Sequence, residues 1–243
     1  MNADIPEPSR QLLDRALVAV RALRWYHRHK VVGLHHVPDE GPCLIAANHS
    51  FVTYDIALLG AKIYQRSGRI SRGLGDRAMF QGPGARVSRA LGFVEASPEN
   101  AVELIRRGEI TMVAPGGMRE ALRPSHQRYQ LKWDTRKGFA RLAMRTGCPI
   151  VLAACPDADR IYRVYENRLT KFIYQRVRLP MPIVRGWGLS LWPRPVALTH
   201  VLSEPQVPPS ADADDEAAVD AWHGQLLARM DALMLEAREA RGH

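Results

Sequence analysis

The succession of short apolar runs and amphipathic segments along this chain predicts an α/β layer sandwich in one main domain. Three observations carry that prediction. Strand-sized apolar runs at Cys43 to Ala47, Ile110 to Ala114 and Pro149 to Ala154 are flanked by turn-forming residues, the pattern of buried strands. Segments with apolar residues at helical spacing lie around them, Pro98 to Arg107 and Arg136 to Arg145 among others, and strands alternating with helices build layered α/β folds. The chain has 243 residues, 46% of them hydrophobic, enough to bury one substantial core.

From Pro8 to about Lys30, Leu12, Leu13, Ala16, Leu17, Val20 and Leu23 recur at helical spacing. Arg10, Arg15, Arg21 and Arg24 lie among them, and Trp25 and Tyr26 close the segment. A basic interfacial helix, whose apolar stripe enters the headgroup region, has this pattern. So does a helix packed on its own domain. Val31 to Val37 and Cys43 to Ala47 read as strands about the Pro38 to Pro42 turn, and a helix over about 50–65 follows. Strand-like or turn segments near 70–74 and 92–94 flank a region in which Gly82-Pro83-Gly84 interrupts any continuous helix. Arg160 to Arg178 mixes aromatic with basic residues, and Trp187 and Trp192 stand in a Gly/Pro-rich stretch. Val196 to Leu202 reads as one more strand. After the proline- and acid-rich connector Pro205 to Asp215, a helix over about 216–241 places Trp222, Leu226, Met230 and Leu233 on one side. The expected division is residues 1–30 as an N-terminal amphipathic helix, 31–204 as the main domain, and 205–243 as a connector and a C-terminal helix packing on it.

Thirty-four Lys and Arg against twenty-five Asp and Glu give a formal net charge of +9, which favours anionic partners such as nucleic acid, lipid headgroups or phosphorylated cofactors. Cys43, Cys148 and Cys155 lack the paired short spacing of a zinc site or redox dithiol, so buried reduced thiols and no metal are expected. The N-terminal residues lack a secretory pattern, and no apolar stretch has the length of a spanning helix. The expectation is a chain that lies on a bilayer without crossing it.

The sharpest local signal is Asn48-His49-Ser50, a turn between a buried strand and a helix, with Asp55 in that helix's first turns. A histidine exposed there can take a proton from a substrate hydroxyl, while a carboxylate fixes its tautomer and stabilises the imidazolium. The run Ala114-Pro115-Gly116-Gly117-Met118-Arg119-Glu120-Ala121-Leu122 leaves another strand and turns sharply. Its two glycines permit close backbone approach, so that main-chain N–H groups can face an oxygen. Arg119 adds a forked cation suited to phosphate or carboxylate. Either motif alone also fits an ordinary turn with solvated charges.

In this order and spacing, from about Val31 to Leu202, the pieces resemble the phospholipid/glycerol acyltransferase (PlsC-like, lysophospholipid acyltransferase) superfamily. Asn48, His49 and Asp55 match its first motif, Pro115 to Arg119 its Pro-Glu-Gly-Thr-Arg-like motif, and Cys148-Pro149-Ile150-Val151 a later strand. Two departures stand out: five residues separate His49 from Asp55 where the superfamily has four, and Gly116 replaces its glutamate. One extra residue turns a helical side chain by about 100°, so the turn before the helix must absorb the slip. Pro115-Gly116-Gly117 with Glu120-Ala121, and Arg136-Lys137-Gly138-Phe139, look instead like the neutral-lipid branch of diacylglycerol acyltransferases and plant phytyl ester synthases.

The resemblance implies a layered mixed sheet flanked by helices, as in glycerol-3-phosphate acyltransferase, and transfer of a fatty acyl group from acyl-CoA or acyl-carrier-protein (acyl-ACP) to a lipid hydroxyl. It implies His49 as general base and Asp55 as its orienter. Asn48, Pro115, Gly116, Gly117, Arg119 and Glu120 would shape the acceptor site, and Arg136 and Lys137, at a helix start, would meet a donor or acceptor phosphate. No cofactor beyond the thioester co-substrate is expected. The partners would be a lipid acceptor, the acyl thioester and the cytoplasmic face of a membrane. Acyl carrier protein is a possible further partner. A basic, non-catalytic membrane- or nucleic-acid-binding protein is the rival reading; no recognisable nucleic-acid motif supports the latter. A serine esterase would need a Gly-x-Ser-x-Gly elbow, which the sequence lacks.

Overall fold

The computed structural model describes residues 5–51, 53–82, 84–165 and 183–240. The helices are α1 (Arg10–Tyr26), α2 (Tyr54–Ser67), α3 (Ala85–Ala90), α4 (Pro98–Arg106), α5 (Gly117–Ala121), α6 (Gly138–Thr146) and α7 (Glu216–Glu239). The strands are β1 (Lys30–Val32), β2 (Cys43–Ala47), β3 (Ser71–Gly75), β4 (Val94–Glu95), β5 (Ile110–Val113), β6 (Ile150–Ala154), β7 (Arg163–Tyr165), β8 (Ile183–Arg185) and β9 (Thr199–Leu202).

Seven strands form one mixed sheet in the order β1-β9-β6-β2-β5-β3-β4, and β7 pairs with β8 apart from it. β6, β2, β5, β3 and β4 run parallel; β9 pairs antiparallel with β6 and parallel with β1. Every residue of β2 and β6 is buried, because helices cover both sheet faces, and this is why these strands read as unbroken apolar runs. On one face Leu44, Ala46, Leu152 and Ala154 meet Phe139, Ala143, Trp222, Leu226 and Met230 from α6 and α7. On the other, Cys43, Ile45, Ala47, Val151 and Ala153 meet Leu59 and Ile63 of α2. The alternation follows from the two-residue period of a strand.

Several sequence boundaries shift for local reasons. β1 stops at Val32 because Gly33 turns left-handed at φ 74°, and a Cβ there would lie 2.6 Å from the Leu202 carbonyl oxygen; Leu34–His36 then forms a 3₁₀ turn. Helix α2 begins at Tyr54, because residues ahead of it form the His49 turn and Thr53 takes a left-handed φ of 59°. The part of the Arg160 to Arg178 stretch beyond Tyr165 lies outside the described residues.

No residue of α1 is fully buried, yet its apolar stripe is not free. Val20 and Leu23 pack against Leu58, Cys155, Ala158, Ile161 and Leu198. The second half of the stripe expected at a membrane therefore docks on the domain. Among the described residues no helix is long and apolar enough to cross a membrane.

Candidate active site

The C-terminal ends of the parallel neighbours β5, β2 and β6 converge, with Ala46 beside Val113 and Ala47 beside Ala153. The chain leaves each at a turn, the usual ligand end of an open α/β sheet. Asn48 closes the gap between two of them. Its Oδ1 accepts from the Cys155 N–H at 2.7 Å, its Nδ2 donates to the Cys155 carbonyl at 3.3 Å, and it is buried. Asn48, expected to bind substrate, is committed instead to clipping β2 to β6.

His49 follows, half-buried. Its Nδ1 lies 2.9 Å from the Ser50 carbonyl and 2.9 Å from Thr53 Oγ1, while the Thr53 hydroxyl donates to the same carbonyl at 3.1 Å. A carbonyl only accepts, so the contact with Ser50 places the ring proton on Nδ1 and leaves the Nε2 lone pair available. No hydrogen bond engages Nε2 among the described residues. Burial is the main cause that lowers the His49 pKa below 6.5, with Arg123 adding to it and the Ser50 carbonyl and Asp159 opposing. A neutral imidazole with a free Nε2 is the form a general base requires.

The direct brace expected from Asp55 is not formed. Asp55 accepts from Ser50 Oγ at 3.0 Å, and its other oxygen faces His200 Nε2 at 3.9 Å. The left-handed Thr53 does give the turn an extra bend, but the hydroxyl of Thr53, rather than the carboxylate, then reaches His49 Nδ1. Asp55 is instead part of a buried polar line, since His200 Nδ1 meets His29 Nε2 at 2.9 Å. Asp55 Oδ2 and His200 Nε2 are buried without a hydrogen-bond partner. With Cys155 they are the one group among the described residues in which three such ligand atoms all lie within 4.8 Å of one another. A tetrahedral zinc holds such atoms roughly 3.3–3.8 Å apart at its usual bond lengths, so this set would have to close to grip one.

Burial raises the Asp55 carboxyl to about 7 from its ordinary 3.8. The folded state therefore holds this proton more tightly than the unfolded chain does. The stabilisation is complete below about pH 4 and is lost as pH rises through about 7. Asp55→Asn keeps an acceptor for the Ser50 hydroxyl and removes the charge. It is expected to melt above the parent at pH 8, with the difference narrowing at pH 4; a difference independent of pH in thermal melts would contradict this.

The glycine loop meets the His49 turn through Glu120. This buried carboxylate accepts from the His49 N–H at 2.6 Å and from the Lys132 N–H at 3.0 Å, and lies 3.7 Å from Arg123. Burial raises its pKa, against the two N–H donors and Arg123. Gly116 is what admits it: a Cβ at 116 would lie 2.0 Å from Glu120 Oε2 and 2.5 Å from its Cβ. The glycine that replaces the superfamily's glutamate thus makes room for a carboxylate arriving from α5. Pro115 is buried and shapes the loop. Gly117 adopts φ 51° and spends its N–H on the Ala114 carbonyl at 3.0 Å, so that group is not offered to a substrate oxygen.

Arg123 is buried beneath this turn. Its Nη2 donates to both oxygens of Asp159 at 2.6 Å and to the His49 carbonyl at 3.3 Å, and its Nη1 donates to the Gln130 carbonyl at 2.8 Å. Arg119, in contrast, is exposed, and no hydrogen bond or ion pair holds it among the described residues. Arg136 is also exposed, whereas Lys137 forms an ion pair with Asp220 of α7. The lysine expected at a phosphate therefore ties α6 to the C-terminal helix.

Sequence reasoning missed Thr53, Arg123, Asp159 and His200. Only two had a signal: Arg123 stands one helical turn after Glu120, and His200 is a polar residue inside an apolar strand.

A family model described as Acyltransferase matches residues 28–155. A DGAT1/2-independent enzyme synthesizing storage lipids of Bos taurus is 31% identical over 169 residues, covering 68% of this chain and 50% of that protein. Phytyl ester synthase 2, chloroplastic, of Arabidopsis thaliana is 28% identical over 142 residues, 55% of this chain and 20% of that protein. The chain thus spans about half, or less, of the length of these curated relatives. The crystal structure of the 1-acyl-sn-glycerophosphate acyltransferase PlsC from Thermotoga maritima superposes with a TM-score of 0.55 at 16% identity, over 89% of this chain and 77% of that one. That likeness shows a shared fold.

Proposed function

The chain belongs to the acyltransferase family, and from that premise we propose that it transfers a fatty acyl group from acyl-CoA or acyl-ACP to the hydroxyl of a glycerolipid or related lipid. The observation that carries this reading is His49, with Nδ1 fixed by Ser50 and Thr53 and Nε2 unengaged, at the sheet end where the glycine loop is anchored by Glu120.

In the proposed reaction His49 Nε2 takes the acceptor's hydroxyl proton as that oxygen attacks the thioester carbonyl. The tetrahedral adduct collapses with cleavage of the C–S bond, and the imidazolium returns the proton to the departing thiolate. The products are an ester and a free thiol, with no covalent enzyme intermediate. Proximity, the base and local charge supply the acceleration. Glu120 positions His49 through the His49 backbone, and Asp55 reaches the turn through Ser50. The names of the relatives favour a neutral-lipid acceptor. Because such an acceptor resides in lipid, the chain works as a peripheral protein at the cytoplasmic face of a membrane.

The test is to incubate purified protein with labelled acyl-CoA, or acyl-ACP, and total membrane lipid, and to identify the product by mass spectrometry. Absence of thiol release and of any labelled ester with both donors would sink the reading. Arg119 offers a finer test. Its guanidinium, unpaired among the described residues, suits a headgroup or developing negative charge, so Arg119→Ala is expected to raise the acceptor's KM several-fold more than the donor's. Equal, small changes in steady-state kinetics would assign Arg119 to the solvated surface.

A further inference from the structure

The residues after β8 form a tight loop whose backbone bonds to itself. Gly186 N–H donates to the Ser190 carbonyl at 2.7 Å, Trp187 N–H to the Trp192 carbonyl at 2.7 Å, and Ser190 N–H to the Trp187 carbonyl at 3.1 Å. Gly186 is required for the closure, because a Cβ there would lie 1.9 Å from the Trp192 oxygen. With its polar groups turned inward, the loop holds its large apolar side chains outward. Leu189 is 92% exposed, and Trp187, Leu191 and Trp192 are exposed as well. Trp25, 84% exposed, stands on the neighbouring end of α1, held there because Trp192 Nε1 donates to Tyr26 OH at 3.2 Å and Tyr26 OH to the Pro193 carbonyl at 2.6 Å. Large apolar side chains exposed together on one loop are costly in water and mark an interaction site.

The patch is rimmed by cations. Arg21 and Arg28 are exposed on α1 and the turn after it, where with Arg24 and Trp25 they line an open cleft of about 830 Å³. At the loop itself Arg194 donates to the Gly186 carbonyl at 3.1 Å, and burial first, and then the charges of Arg163, Arg128 and Arg185, lower its pKa. Exposed tryptophan and leucine framed by arginine have the chemistry of an anionic bilayer surface. The loop also leads to the proposed base: Tyr162 OH donates to the Leu191 carbonyl at 3.1 Å, and the Tyr162 ring meets the Phe51 ring edge-to-face with centroids 5.7 Å apart. Phe51 follows His49 by two residues.

We infer that residues 186–192, together with Trp25, are the wedge by which this chain enters an anionic lipid surface, placing the His49 end of the sheet against the bilayer that holds its acceptor. The delivery role rests on the acyltransferase reading above; the docking does not. It relocates the membrane contact from the α1 stripe, whose Val20 and Leu23 the domain already covers, to a surface that nothing in the described protein covers.

The experiment uses the full chain with vesicles of phosphatidylcholine alone or mixed with phosphatidylglycerol, each with and without brominated acyl chains. Co-sedimentation is expected with the anionic vesicles, together with quenching of tryptophan fluorescence by the brominated lipid. Trp133 and Trp222 are buried and would remain unquenched. The double variant Leu189→Asp, Leu191→Asp changes side chains that stand in solvent and is expected to weaken partition about tenfold or more. Binding of that variant as tight as the parent's, absence of quenching, or absence of binding to either vesicle would each overturn the inference. Quenched, leucine-dependent binding by a protein that transfers no acyl group would uphold the docking and remove only the enzymatic reading.

Discussion

His49→Ala is expected to lower acyl transfer by about 10²–10⁴-fold, the usual cost of losing a general base, while the protein melts close to the parent. The two halves of this expectation have separate physical grounds. Nε2 carries the proposed chemistry and, among the described residues, holds nothing else in place. The bond that anchors the turn is made by the His49 main-chain N–H to Glu120, which alanine at 49 keeps. Because burial lowers the His49 pKa, the base stays neutral below the ordinary histidine value, and the acid limb of kcat/KM against pH should fall below 6.5. Thiol release assayed with and without lipid acceptor, beside a thermal melt, checks both. A variant retaining more than about a tenth of the parent rate would refute His49 as the base.

The largest effect on stability is expected at Arg123. Arg123→Met has comparable bulk but leaves Asp159 and Glu120 buried without their counter-charge, and breaking one side of such a pair costs about 3–5 kcal/mol. For a chain of this size that is a fall in Tm of roughly 6–20 °C. Transfer should fall with it even below the melting range, since Arg123 also holds the His49 carbonyl at 3.3 Å. The double variant Arg123→Met, Asp159→Asn removes one stranded charge while leaving an acceptor for the Tyr129 N–H, which Asp159 holds at 2.9 Å. It is expected to melt above the single Arg123→Met variant. A double variant at least as unstable as the sum of the two single changes would show that Asp159 and Arg123 are not coupled.

These two residues also mark the limits of legibility. His49 could be singled out because a histidine between an apolar strand and a helix is a local pattern, made specific by a second motif downstream, and its role as base rests on the test above. Arg123 carried only its place one helical turn after Glu120, because its importance comes from burial against Asp159, a residue after a different strand. Arg119 looked similar in sequence, yet the short helix α5 leaves it in solvent and turns Arg123 inward. Lys137 shows the same limit in reverse: a helix-start lysine resembling a phosphate ligand pairs with Asp220, whose approach depends on how α7 crosses α6.

By itself the sequence determined the layered α/β fold, the positions of β2, β5 and β6, the apolar side of α7 and the order of the two motifs. Each of these is encoded by the spacing of apolar residues along a few consecutive turns or strand positions, which burial reads directly. The tertiary structure alone decided which groups meet across the sheet. The antiparallel register of β9 on β6 brings His200 to Asp55, so the carboxylate faces a second histidine and leaves Thr53 to hold the first. Packing of α5 brings Glu120 over Gly116, and self-bonding of the 186–192 backbone turns its tryptophans and leucines outward. Such contacts rest on strand register and helix approach to within an ångström or so, and linear spacing carries no measure of either.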